Sequence, residues 1–196
     1  MRITQVMPFL LLLLTIATYA QTSLLDERDG KTYKTVKIGT QIWMAENLNY
    51  EAEGSVCNNN SDSNCYTYGR LYNWETAMKS CPNGWHLPSD KEWQILVDFA
   101  GGGKVAGKKL KAKSGWNENG NGTDGFSFLA LPGGYGYSDG DFDYAGYNGY
   151  WWSSSEYEYE YDSDYAYRRY MYYNYEGAYR DYDYKSSLFS VRCVQD

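Results

Sequence analysis

The side chains best equipped for recognition chemistry are tyrosines. Twelve of the chain's 23 fall in the single stretch "YEYEYDSDYAYRRYMYYNYEGAYRDYDY", from Tyr157 to Tyr184. A hydrophobic core would draw on Leu, Ile, Val and Phe instead, because each buried tyrosine hydroxyl needs a hydrogen-bond partner. Burying twelve such rings, at roughly 150–250 Å² each, would demand about 2,000 Å² or more of partner surface, so part of the set stays exposed. Exposed aromatic patches mark binding sites. Tyrosine serves recognition because it is rigid and offers a flat apolar face together with a hydroxyl. The candidate ligand-binding residues are therefore Tyr157, Tyr159, Tyr161, Asp162, Asp164, Tyr165, Tyr167, Tyr170, Tyr172, Tyr175, Tyr179, Tyr182 and Tyr184. From Tyr157 to Tyr167 the tyrosines take odd positions, with Ser163 the exception, and acidic residues take even ones. An extended chain would show a tyrosine face backed by an acidic face. The phase breaks at "RRYMYYNYEG", which fits a hairpin or a pair of looped strands with a turn near Glu176-Gly177.

Other chemistries find less support. His86 is the only histidine, and no G-x-S-x-G or Cys-His pattern accompanies it. It reads as a packed, hydrogen-bonded residue at a helix entry, and no catalytic residue is assigned. "GGKVAGKK" from Gly102 approximates a phosphate loop, but Lys109 stands where a Ser or Thr must hold magnesium, and a helix precedes it. Paired carboxylates for glycoside hydrolysis need only a separation in space, and 25 acidic residues nominate no pair. Four cysteines allow three connectivities. Cys57 and Cys65 bracket the polar loop "NNNSDSN", which a local disulfide would close, leaving Cys81 for Cys193. That spacing and a lone histidine do not make a zinc site, so neither metal nor cofactor is expected.

The elements that must hold these residues can be read in outline. Arg2, the apolar run "PFLLLLLTIA" and the small residue Ala20 form a secretory leader over residues 1–20, too short to span a bilayer. It leaves residues 21–196 as one domain, outside the cell or on its surface. A formal charge of −7 argues against nucleic acid or an anionic membrane as partner. "DERDGKTYKTVKIGTQIWMAENL" reads as an opening hairpin, with turns at Asp29-Gly30 and Gly39-Thr40. Leu71, Trp74, Ala77 and Met78 have the spacing of a buried helical face that ends before Pro82. In "LPSDKEWQILVDFAGG", Ser89 and Glu92 form a capping box ahead of the apolar stripe Trp93, Leu96, Val97 and Ala100, with Gly101 as the stop. Beyond it come glycine, aromatics and short strand-like runs. Two helices followed by such a region read as α+β, with the helices packed on antiparallel strands.

Six blocks, "DGKTYKTVKIGTQIWMAENLNY", "YGRLYNWETAM", "CPNGWHLPSDKEWQIL", "DGFSFLALPGGY", "GYWWSSSE" and "FSVRCVQD", resemble in sequence and order the Fibrobacter-type major paralogous domain family (Fib_succ_major). The resemblance runs from about Asp26 to Asp196. It implies a C-type-lectin-like fold, in which two helices pack on small antiparallel sheets, the chain ends meet and disulfides staple the domain; a Cys81–Cys193 bond suits that shape. The E-P-N and W-N-D motifs of calcium-dependent sugar-binding lectins are absent. All four cysteines have structural pairings, unlike the redox-active ones of sulfatase-modifying lectin-fold relatives. The Tyr, Asp, Asn and Ser usage between fixed blocks resembles the variable region of lectin-fold proteins diversified by retroelements. The expected function is a secreted or surface-displayed binding module, not an enzyme, that recognises a polysaccharide or protein through this segment. A self-assembling surface protein and a polysaccharide-acting enzyme are the rival expectations.

Overall fold

The computed structural model describes residues 21–157 and 164–196. The expected leader, together with Tyr159, Tyr161 and Asp162, lies outside the described residues. Among the described residues, twelve strands and four α-helices are arranged around two sheets. The architecture is α+β, mostly sheet with few helices.

The opening hairpin is longer than its turn signals alone define. Strands β1 (Gln21–Asp26), β2 (Lys31–Ile38) and β3 (Gln41–Met44) pair antiparallel in sequence order. On β2, Tyr33 and Val36 point inward, as does Ile38. The sheet is completed by β12 (Val194–Gln195), which sits between β3 and β5 (Trp85–His86). The C-terminal strand thus pairs with the third strand of the opening unit, two strands away from β1.

The second sheet has the path β10 (Tyr179–Tyr184), β9 (Tyr165–Tyr172), β8 (Asn148–Glu156), β11 (Phe189–Ser190) and β4 (Leu71–Tyr72). A further pair, β6 (Gly133–Gly136) and β7 (Phe142–Ala145), attaches to β8 through β6. Strand alternation on β8 divides its tryptophans between two packed clusters. Trp151 joins Trp43, Trp93 and Phe128 on one side of the sheet, and Trp152 joins Tyr72, Trp74 and Phe189 on the other. Buried indole N–H groups need acceptors, and these have them: Trp93 donates to Trp152 O (3.2 Å), Trp152 to Tyr72 O (2.7 Å) and Trp151 to Asn47 Oδ1 (2.9 Å).

Helix α3 (Asp90–Phe99) begins at Ser89 with both halves of the capping box formed, and Trp93, Leu96 and Val97 are buried. Helix α2 (Trp74–Ser80) starts later than the spacing of apolar residues implies. The Asn73 side chain caps it by accepting from the Thr76 N–H, which leaves Leu71 in β4 and Met78 43% exposed. Two short helices were not anticipated: α1 (Asp62–Tyr68) and α4 (Ala106–Leu110). Neither has a side-chain cap, and each is too short for intrinsic propensity to reveal it, so tertiary contacts stabilise both.

Both disulfides are formed. Cys57–Cys65 ties the turn before α1 into that helix, and Cys81–Cys193 joins the end of α2 to the residue before β12. A third tie is polar. Arg192, fully buried, donates to Asn47 Oδ1 through Nε (3.2 Å) and Nη2 (2.6 Å), and to the carbonyls of Phe128 and Leu129. Burial lowers its pKa to about 9 despite the more distant Glu46 and Asp124 carboxylates.

Candidate functional site

Strand geometry separates the tyrosines that the sequence places in one run. On β9, Tyr165 and Tyr167 share a face with Arg169 and Met171, whereas Tyr170 and Tyr172 share the other with Ala166 and Arg168. The antiparallel register sets Tyr184 opposite Tyr165, Tyr182 opposite Tyr167 and Tyr179 opposite Tyr170. The expected single tyrosine face is therefore two faces, because β9 continues regularly across the point where the tyrosines change parity.

One group lies on the face that also meets α3. Tyr157 stacks on Tyr182 (centroids 3.9 Å apart, 12° between planes), and Tyr165 packs against Tyr184 at 4.4 Å. The Arg180 guanidinium covers the Tyr167 ring at 3.8 Å while its Nε binds Asp90. Asp164 is exposed, and its carbonyl accepts from Lys185 N.

The opposite face carries a trough of about 580 Å³. Its floor is formed by Tyr150 and Phe189, whose rings stack 5.5 Å apart, and by Arg168. Tyr135, Tyr137 and Tyr144 from β6 and the β6–β7 region form one wall, with Tyr135 stacked on Tyr144 at 6.0 Å. Tyr172, Tyr173, Asn174 and Tyr175 form the other. Tyr170 supports the floor by stacking on Tyr150 at 6.1 Å, and Tyr179 packs behind it at 5.4 Å. A recess of about 440 Å³ continues the trough past Tyr144, Asn148 and Tyr173 toward Phe142 and Tyr147. Both volumes fall within the usual range of small-ligand sites.

Arg168, the one cation among the described lining residues, is balanced. Arg168 Nε donates to Asp183 (3.0 Å), its Nη2 reaches Asp181 (3.4 Å), and its guanidinium lies over Tyr150 and Tyr170 at 5.1 and 4.9 Å. Burial raises the phenol pKa values of Tyr135, Tyr150 and Tyr170, so these hydroxyls stay protonated at neutral pH. The rim is accessible: Tyr144 and Tyr175 are each 53% exposed. Flat ring faces, neutral hydroxyls and the amides of Asn148 and Asn174 can stack on and hydrogen-bond an uncharged polyhydroxylated ligand.

Of the residues proposed from sequence, Tyr172 and Tyr175 line the trough, and Tyr170 and Tyr179 support it. Tyr157, Tyr165, Tyr167, Tyr182 and Tyr184 sit on the other face. Tyr135, Tyr137, Tyr144, Tyr150 and Tyr173 were missed. A signal for the first four was present, since "GGYGYSDGDFDYAGYNGY" holds five tyrosines, with Tyr135 and Tyr137 at strand spacing across from a glycine-rich turn.

The remaining chemical candidates have structural surroundings. His86 bonds Asp196 Oδ1 through Nδ1 (2.6 Å) and the capping-box Glu92 through Nε2 (2.8 Å). Burial lowers its pKa, but the hydrogen bonds it donates to the Asp196 and Glu92 carboxylates outweigh this and leave it raised. In the phosphate-loop-like stretch, a Cβ on Gly107 would stand 2.1 Å from Gly177 O, so that glycine permits backbone to approach backbone. Among the described residues, no three His, Cys, Asp or Glu side chains come together to hold a metal ion.

Together these features define a class: a mixed α+β domain, mostly sheet, with two disulfides and a tyrosine-rich aromatic surface. The chain belongs to the Fibrobacter succinogenes major domain family (Fib_succ_major), which it matches over residues 36–195. No curated protein and no solved structure matches it.

Proposed function

We propose that the protein is a secreted or surface-displayed binding module, without catalytic activity, whose ligand seat is the tyrosine trough and whose ligand is an uncharged polysaccharide. The observation that carries this reading is the concave array of Tyr135, Tyr137, Tyr144, Tyr172 and Tyr175 around a charge-balanced Arg168. A concave opening that presents ring faces and hydroxyls suits a chain of sugar rings better than a flat protein epitope. The apolar segment "PFLLLLLTIA" supports export, as does the use of all four cysteines in disulfides.

A C-type-lectin-like scaffold is part of the proposal. In its favour are the C-terminal strand beside β3 and the disulfide that closes the domain on α2. Self-assembly through the tyrosine strands is the weaker reading. The outward N–H groups of Tyr182 and Tyr184 on edge strand β10 are occupied by Asp181 and Asp183 carboxylates, which obstruct strand addition.

The test is binding of the mature chain to immobilised polysaccharides: a β-glucan, a mannan, a xylan and a sulfated galactan. Retention on at least one neutral polymer, abolished by Tyr144→Ala with Tyr175→Ala, is expected. Binding to the sulfated polymer alone, or to none, would reject the assignment.

A further inference from the structure

Lys111 follows α4 and is buried, with only 2% of its surface exposed. Among the described residues its ammonium forms no ion pair with a carboxylate. Instead Nζ donates to the carbonyls of Tyr172 (3.0 Å), Tyr173 (3.3 Å) and Tyr175 (3.0 Å), and it lies 4.9 Å from the centre of the Trp116 ring. Those carbonyls belong to the residues that form one wall of the trough. A buried ammonium is costly unless its donors are used, so this site is specific for three converging acceptors.

The surrounding contacts point the same way. Glu176 O accepts from Lys108 N (2.8 Å), and the Ala178 N–H donates to Gly103 O (2.9 Å). A Cβ on Gly120 would stand 2.7 Å from Tyr173 Cβ, and one on Gly107 would collide with Gly177 O. The turn between β9 and β10 is thus packed against Gly107 and Lys108 of α4 and against Gly103 and Gly120 on either side of it. The side chains of Tyr172, Tyr173, Asn174 and Tyr175 line the trough, and the carbonyls of Tyr172, Tyr173 and Tyr175 meet Lys111.

We infer that Lys111 is the positioning residue of the trough: its ammonium fixes the backbone of Tyr172, Tyr173 and Tyr175 and thereby sets the spacing of the two tyrosine walls. This rests on the trough being the ligand seat. Burial lowers the Lys111 pKa to about 8, with Lys108 lowering it further and Glu176 opposing. Most molecules therefore carry the protonated, three-donor ammonium at neutral pH and below.

Amide hydrogen exchange at residues 173–178, measured at pH 6.5 without ligand, tests the inference. Lys111→Met is expected to speed exchange there by about tenfold or more, the factor for losing one hydrogen bond to a charged group, while the amides of β8 keep their wild-type rates. Lys111→Arg, which keeps charge and donors, is expected to restore most of the protection. Wild-type rates in Lys111→Met, or equal loosening in Lys111→Arg, would overturn the role. Should Lys111→Met fail to fold, NMR of the wild type with labelled lysine Nζ decides: a slowly exchanging ammonium near Tyr173 and Tyr175 supports the inference, and one in fast exchange with water overturns it. Since no glycan is present, failure here is separate from failure of the ligand assignment, which the polysaccharide panel reads.

Discussion

The two disulfides should differ in what they contribute, and the difference follows from the chain they enclose. Cys81 and Cys193 are 112 positions apart, Cys57 and Cys65 only 8. In the chain-entropy description, closing the longer loop stabilises the fold by about 4.8 kcal/mol and closing the shorter by about 2.5 kcal/mol. Cys193 is also fully buried, so its replacement by alanine adds a small void, whereas Cys57 and Cys65 retain slight exposure. The experiment compares Cys81→Ala/Cys193→Ala and Cys57→Ala/Cys65→Ala with the wild type by urea unfolding. With a slope of about 2 kcal/mol per molar urea, the expected falls in midpoint are roughly 2.5 M and 1.2 M. Equal losses, or a larger loss for the short loop, would refute the reasoning and place the weight of the scaffold elsewhere.

Asn47→Ala should cost about 1.5–3 kcal/mol or more in urea unfolding, because it removes the shared acceptor of Arg192 and Trp151 and leaves the buried guanidinium only the Phe128 and Leu129 carbonyls. Gly107→Ala is expected to cost about 1–3 kcal/mol and to raise exchange at residues 173–178, since the added methyl meets Gly177 O. The His86 pair should make stability pH-dependent. A raised imidazole pKa means that its contribution is complete below about 6.5 and is lost as pH climbs through the folded-state value. Urea midpoints of wild type and His86→Gln should therefore differ more at pH 5.5 than at pH 8.5; a gap that widens with pH would contradict this.

Local signals with a single physical cause were readable in the sequence. The Ser89 and Glu92 capping box, the apolar stripe of α3 and the hairpin around Gly39 need only neighbouring residues. The disulfide pairing followed from a short polar loop and one remaining pair. The β9–β10 hairpin was legible only in part: the two strands do pair, but the connection covers residues 173–178 with its turn at Tyr173-Asn174, ahead of the expected Glu176-Gly177, and the change of tyrosine parity lies inside β9. Helices α1 and α4 were not, because seven and five residues without side-chain caps carry too little periodicity. The trough was half legible. Alternation assigns tyrosines to faces only if the register is known, and register depends on Arg168 and Arg169 continuing β9 between Tyr167 and Tyr170. Nothing in sequence spacing tells that β6 brings Tyr135 beside Tyr150, since 15 positions and a β7 hairpin separate them.

The central claim is that the ligand meets the trough face of the sheet and not the face of Tyr182 and Tyr184. The most direct test measures affinity for the polysaccharide that the wild type retains best, using two variants matched in chemistry. One is Tyr137→Ala/Tyr144→Ala/Tyr175→Ala, and the other is Tyr167→Ala/Tyr182→Ala/Tyr184→Ala. A loss of about a hundredfold or more for the first is expected, from the roughly 0.5–1.5 kcal/mol that each aromatic contact supplies beyond its buried area and the area itself. The second should stay within about threefold of the wild type. The reverse order, with the trough variant binding normally, would contradict the account.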